Sequence, residues 1–249
     1  ALARLVDDPA PEVAPKALAA LGQIASAEAT EALKRAVAGD SAALRAAAAD
    51  ACLLAAERLV AEGKREEAAR LCDAARAADV PGHLRAAATR ASILARQSAG
   101  APLLLEQFQT DDAEMFAMAL RTSRELPGAE VTQALVAHLD RLPPARQALL
   151  IGAIGDRRDA GAAPAIRKRA AGGPAAVRSA AIHALGELGD AAGAAVLIEA
   201  AVSGDAPLAD AAKASLMKLR GSAADEAVVA KMADAAPAQR AVLLDLVGQ

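Results

Sequence analysis

Residues Ala176–Gly189 read AVRSAAIHALGELG. Val177, Ala181, Leu185 and Leu188 stand at the i, i+4, i+8, i+11 spacing of one helical face, so this stretch predicts an amphipathic helix. The same arrangement returns along the whole chain, with first core positions at Val13, Leu44, Leu84, Phe116, Arg146, Val177, Leu208 and Gln239. The steps are 31, 40, 32, 30, 31, 31 and 31 residues. A period of this size is the mark of stacked helical hairpins, each of which buries its apolar face only against its neighbours.

The sixth copy has close relatives in Leu208, Ala212, Leu216, Leu219 and in Val13, Ala17, Leu21, Ile24, all expected in the core. A glycine follows the i+8 position at Gly22, Gly155, Gly186 and Gly248, where a missing side chain lets another helix approach. Second helices are expected near 27–38, 65–78, 101–109, 130–140, 161–171, 191–203 and 223–234. Copies are separated by Asp8-Pro9, Asp40-Ser41, Asp79-Val80-Pro81, Asp111-Asp112, Pro143-Pro144, Pro174, Asp205-Ala206-Pro207 and Asp234–Pro237. Asp and Ser side chains accept from the free N–H groups of a helix start, and Pro loses no bond there. No alternating apolar run suggests a strand, so the fold class is all-α, an α–α superhelix of about seven hairpins.

Two copies depart from the rule. Residues 41–80 form a longer hairpin closed by Glu62-Gly63-Lys64, and the fourth copy places Arg124 at an apolar position ahead of Pro127-Gly128. Ala1–Val6 matches a second helix without its first, and Ala238–Gly248 a first helix without its second. The reading is therefore one solenoid over 1–249, a segment of a larger array, with end-to-end self-association as one cover for its ends.

The chain is 55% hydrophobic but only 1% aromatic, which leaves Ala, Leu and Val to build thin, closely packed helices. Its net charge of -3 lacks the basic excess that a phosphate backbone demands, so nucleic acid is not an expected partner. No apolar run is long enough to insert in a membrane. Cys52 and Cys72 have no metal-type spacing and are expected as small packed residues, with a bridge or redox pair across the hairpin as the alternative. Compartment is left open.

The pattern VRxxAxxALGxLG from Val177, followed by Asp190 and a second helix, resembles HEAT repeats, and more closely the short bacterial type shared with phycobilin lyases. The 52–76 stretch, CLLAAERLVAEGKREEAARLCDAAR, looks like a tetratricopeptide-style hairpin within the series. The resemblance implies a superhelix with a long concave surface for a protein partner. Phycobilin lyases handle a tetrapyrrole, but no motif here matches a chromophore site. The resemblance to HEAT enzymes stops at the fold. Deoxyhypusine hydroxylase holds iron with His-Glu pairs, whereas His83, His138 and His183 are followed by leucine or alanine, and the aromatics and basic groove of HEAT-like DNA glycosylases are absent.

No nucleophile elbow or phosphate loop occurs, and the basic cluster of Arg157, Arg158, Arg167, Lys168, Arg169 and Arg178 is interleaved with Asp156 and Asp159. The repeat offset aligns Arg4, Arg35, Glu106, Ala137, Lys168 and Glu199 in one column at the middle of the second helices. If those helices line the concave side, Arg4, Arg35, Glu106, Lys168 and Glu199 form a groove of alternating sign suited to a folded partner or peptide. These readings combine into a non-catalytic protein-binding scaffold, not an enzyme, with no cofactor or metal. A lyase or small-ligand carrier of the phycobilin-lyase kind, or a structural spacer, is the alternative.

Overall fold

The computed structural model describes residues 1–8, 10–203, 205–219 and 222–247. Pro9 of the first boundary and Gly248 of the glycine column lie outside them. Every regular element among the described residues is a helix. None is long and apolar enough to cross a membrane. The chain divides into two compact units, Ala1–Pro127 and Gly128–Gln249.

The first unit opens with a 3-10 helix at Leu2–Asp7 in the place expected for an isolated second helix. It continues with α1 (Val13–Ile24), α2 (Ala27–Val37), α3 (Ala42–Ala61), α4 (Arg65–Ala77), α5 (Gly82–Ala95), α6 (Ala101–Gln107) and α7 (Ala113–Glu125). The second holds α8 (Ala129–His138), α9 (Pro144–Asp156), α10 (Ala163–Ala171), α11 (Ala175–Leu188), α12 (Ala194–Ala201), α13 (Ala206–Lys218), α14 (Ser222–Asp234) and α15 (Pro237–Val247). Odd-numbered helices are the first helices of the copies and even-numbered helices their partners. The architecture within each unit is a HEAT-like array of helix pairs.

Some boundary residues act as their chemistry predicts, whereas Pro81 and Pro174 occupy the cap position itself and α1 starts from Glu12 without a side-chain cap. Ser41 Oγ accepts from Leu44 N at the start of α3, and Asp112 accepts from Glu114 N and Met115 N at 2.9 and 3.2 Å. Pro144 and Pro207 sit in first turns, where their missing N–H costs nothing.

First helices of neighbouring copies meet along the glycine column. A Cβ on Gly22 would lie 2.7 Å from the Ala51 carbonyl oxygen, one on Gly155 2.9 Å from Ala184 Cβ, and one on Gly186 3.0 Å from Ser215. In each case the neighbour lies 29 residues further on. This fixes α1 against α3, α9 against α11 and α11 against α13. The longer copy does not disturb the spacing, because its extra residues fall later, in a 20-residue α3 and the tip before α4.

Two expectations fail. Ile24 is 52% exposed, because α1 ends there and Ala25 turns into the left-handed region at φ 50°. In α7 the buried face runs through Phe116, Ala119, Thr122 and Ser123, so Arg124 is carried outward and its guanidinium donates to the Leu120 carbonyl at 2.7 Å. Phe108 and Phe116 meet edge to face beside it, with centroids 5.8 Å apart.

Charged side chains join successive copies at the same period. Glu187 on α11 accepts from Lys218 on α13 at 2.5 Å and from Arg158 at 3.5 Å. The Lys218 hydrogen bond is the main cause of a Glu187 carboxyl held below the usual range. Arg167 grips both oxygens of Asp190, and Arg169 reaches Asp140. Arg157 donates to Thr132 Oγ1 and to the Gly128 carbonyl. Most of the basic cluster is thus spent on bonds to neighbouring helices.

Candidate functional site

The residues of the groove column divide between the two units. Arg4, Arg35, Glu106, Lys168 and Glu199 are all exposed on their helices. Arg4 and Arg35 come together at one recess in the first unit. Glu106 stands apart from it on α6, while Lys168 and Glu199 belong to the second unit, where Glu199 pairs with Lys231 of α14.

The recess lies between the 3-10 helix, α2 and the start of α3 and encloses about 750 Å³. Ala3, Val6, Ala32, Ala36 and Leu44 supply its apolar part, and polar groups make up the larger share of its surface. Charges stand among them: Arg4 and Arg35, with Asp7, Glu28 and Asp40. Neither Arg4 nor Arg35 has an ion-pair partner among the described residues, so both guanidiniums are available to a bound molecule.

Local chemistry fixes the walls. Leu2, Ala3 and Val6 pack from the 3-10 helix onto the core of the first unit. The lip at Gly39–Ser41 is held from behind by Arg45, whose guanidinium donates to the carbonyls of Gly39 at 3.1 Å, Asp40 at 2.8 Å and Asp79 at 2.9 Å, and to Asp79 Oδ2 at 2.8 Å. One side chain therefore ties the ends of two successive copies and sets the mouth of the recess. Ser41 also caps α3 there, leaving the positive end of a 20-residue helix dipole beside the two arginines.

A second polar constellation joins α4 to α5. Asp73 accepts from Arg76 Nε at 2.9 Å, from Ser92 Oγ at 2.8 Å and from Arg96, which also donates to the Ser92 carbonyl at 3.1 Å. Partial burial pushes the Asp73 carboxyl up, but the hydrogen bonds from Arg76, Arg96 and Ser92 outweigh it and hold the group below its ordinary value. Sequence reasoning missed this cluster. Its signal was Ser92, a hydroxyl at the i+8 core position of the third copy, fully buried in the structure.

Cys52 and Cys72 are both free and fully buried, and burial, reinforced by the other's proximity at Cys52 and by Asp73 at Cys72, pushes each thiol up to about 12. His83 and His183 are exposed, whereas His138 is buried at the end of α8, and burial followed by the nearby Arg141 lowers its pKa. Among the described residues no group of three or more His, Cys, Asp or Glu is arranged to hold a metal ion.

No family model and no curated protein matches the chain. Solved structures to which it is similar at low identity include the following three. Human deoxyhypusine hydroxylase with glycerol matches at 16% identity and a TM-score of 0.43, over 88% of this chain and 83% of that one. The Escherichia coli protein YibA matches at 18% and 0.46, over 89% and 92%. An engineered protein matches at 18% and 0.30, over 99% and 94%.

The similarity to deoxyhypusine hydroxylase, an enzyme, corrects the expectation of a non-catalytic scaffold and the exclusion of an enzyme. The physical reason lies in how these folds make sites. Stacked hairpins bring side chains from several copies side by side, so the absence of a reaction motif within any one stretch does not exclude a composite site.

Proposed function

We propose that this chain is a small-ligand-binding helical-repeat protein, a carrier or lyase of the phycobilin-lyase kind, whose site is the recess between the 3-10 helix, α2 and α3. The observation that carries the reading is the recess itself. A space of about 750 Å³ falls within the range of small-molecule sites, which combine apolar walls with a few polar groups that fix orientation. Ala32, Ala36 and Leu44 supply the first property, and the two unpaired guanidiniums supply the second. The ligand that suits them has an extended apolar body and carboxylate groups, which Arg4 and Arg35 meet as charge-assisted hydrogen bonds. Asp7, Glu28 and Asp40 provide acceptors for N–H groups on the same body. Binding is the step that a carrier and a lyase share.

The test is titration of the full chain with biliverdin, an open-chain tetrapyrrole bearing two carboxylates, followed by absorbance and circular dichroism. Saturable binding at one site per chain is expected, weakened about tenfold or more by Arg35→Glu, the equivalent of about 1.4 kcal/mol. Ala36→Leu, which fills the wall, weakens it as well. Absence of saturation, or an Arg35→Glu variant that binds as the parent does, removes the proposal.

A further inference from the structure

On the same unit, away from the recess just described, a second hollow of about 390 Å³ opens where the start of α4 meets the end of α5. Its lining includes Arg65, Arg70, Arg96 and Glu66, with Ala69 and Ala95 between them. Three guanidiniums face one carboxylate in the lining, and one of them, Arg96, is already paired with Asp73 behind it, in a chain whose overall charge is -3.

The three differ in how firmly they are held. Arg96 is fixed, since its two terminal nitrogens are bonded to Asp73 and to the Ser92 carbonyl and hydroxyl, and its plane is set before any ligand arrives. Arg70 lies 3.7 Å from Glu66, beyond hydrogen-bond length, with both side chains mostly in water. Such a pair contributes little and releases readily. Arg65 occupies the first position of α4 and has no ion-pair partner among the described residues.

We infer that this hollow binds a phosphate monoester, with the three guanidiniums on the phosphoryl oxygens and a small apolar body over Ala69 and Ala95. Guanidinium forks match the oxygens of a phosphoryl group in pairs, and the three terminal oxygens of a monoester use more of these donors than a carboxylate does. No aromatic side chain lines the hollow, so it offers nothing for a nucleobase to stack on.

The experiment is calorimetric titration of the full chain with phenyl phosphate, inorganic phosphate, benzoate and phenol at low ionic strength. Phenyl phosphate is expected to saturate at one site per chain, with benzoate weaker and phenol silent. Arg65→Gln and Arg70→Gln each weaken it about tenfold, as the loss of one charged hydrogen bond requires. Lys168→Gln, on an exposed residue of the other unit, leaves it unchanged. All three positions are exposed, and a thermal melt followed by circular dichroism verifies that each variant is folded. Failure of phenyl phosphate to saturate overturns the inference, as does full affinity in the Arg65→Gln/Arg70→Gln double variant or an equal loss in Lys168→Gln. Equal affinity for benzoate overturns the assignment of phosphate, and equal affinity for inorganic phosphate overturns that of the organic body.

Discussion

The Cβ that Gly155 lacks would stand 2.9 Å from the Cβ of Ala184, closer than side chains approach one another. Three residues earlier on α9, a Cβ on Gly152 would meet nothing within 4 Å. The two glycines therefore separate packing from propensity. Gly152→Ala should stabilise the chain by about 0.5–1 kcal/mol through helix propensity alone. Gly155→Ala should lose that gain and destabilise by about 1–3 kcal/mol, as overpacking does. Urea denaturation of both variants checks the pair, and a Gly155→Ala variant as stable as Gly152→Ala would show that α9 and α11 have room to separate.

Asp73 holds α4 to α5 through Ser92 and Arg96. Asp73→Asn should cost about 1–3 kcal/mol at neutral pH, since it removes charge-assisted bonds from partly buried donors. The pH dependence has a fixed sign. A carboxyl whose folded pKa is depressed contributes stability that is present above its unfolded value of about 3.8 and is lost as pH falls through the lower folded one. The gap between parent and Asp73→Asn, measured by denaturation at successive pH values, should close in strong acid and stay constant from pH ~5 upward.

His138 has the opposite charge type. Burial lowers its folded pKa below 6.5, so the neutral ring is the form that the fold accepts. Stability from this residue is complete above about pH 6.5 and falls as pH drops through that value, at no more than about 1.4 kcal/mol per pH unit for one proton. Thermal melts between pH 7.5 and 5.5 should show a shallower decline in His138→Asn than in the parent. Equal slopes would assign the pH dependence to other groups.

Cys52 and Cys72, with thiols pushed up to about 12, present almost no thiolate near neutrality and no exposed sulfur. The folded chain should react with neither group on mixing with an aromatic disulfide reagent, and both should react at once in denaturant. A rapid native reaction of even one thiol would show that the α3–α4 hairpin opens readily.

The helix pairs were legible because their information is local. Alanine and leucine at helical spacing, punctuated by Asp, Ser and Pro, define both helices of each copy, and the second helices fall where the spacing predicts. What the pattern does not contain is where a helix stops short or rotates. Ile24 obeys the spacing yet is exposed because α1 ends under it, and α7 turns by one residue so that Ser123 is buried in place of Arg124. Of the recess proposed as the site, the sequence offered only that Arg4 and Arg35 share one column with Glu106, Lys168 and Glu199. The recess itself depends on Val6, Ala36 and Leu44 meeting across copies and on Arg45 holding the lip. Those relations are set by tertiary distance, which no single period encodes.

The constant offset between each column glycine and its neighbour dictates where the chain tolerates added length. Residues inserted between Gly22 and Ala51 would shift α3 along α1 and drive side chains into backbone, whereas the tip at Gly63, with φ at 80° and open space around its Cα, lies outside every such interval. A peptide tag or a whole domain spliced in at that tip leaves the spacing between helices intact, which makes the hairpin of the long copy the natural point at which to graft new sequence onto this protein.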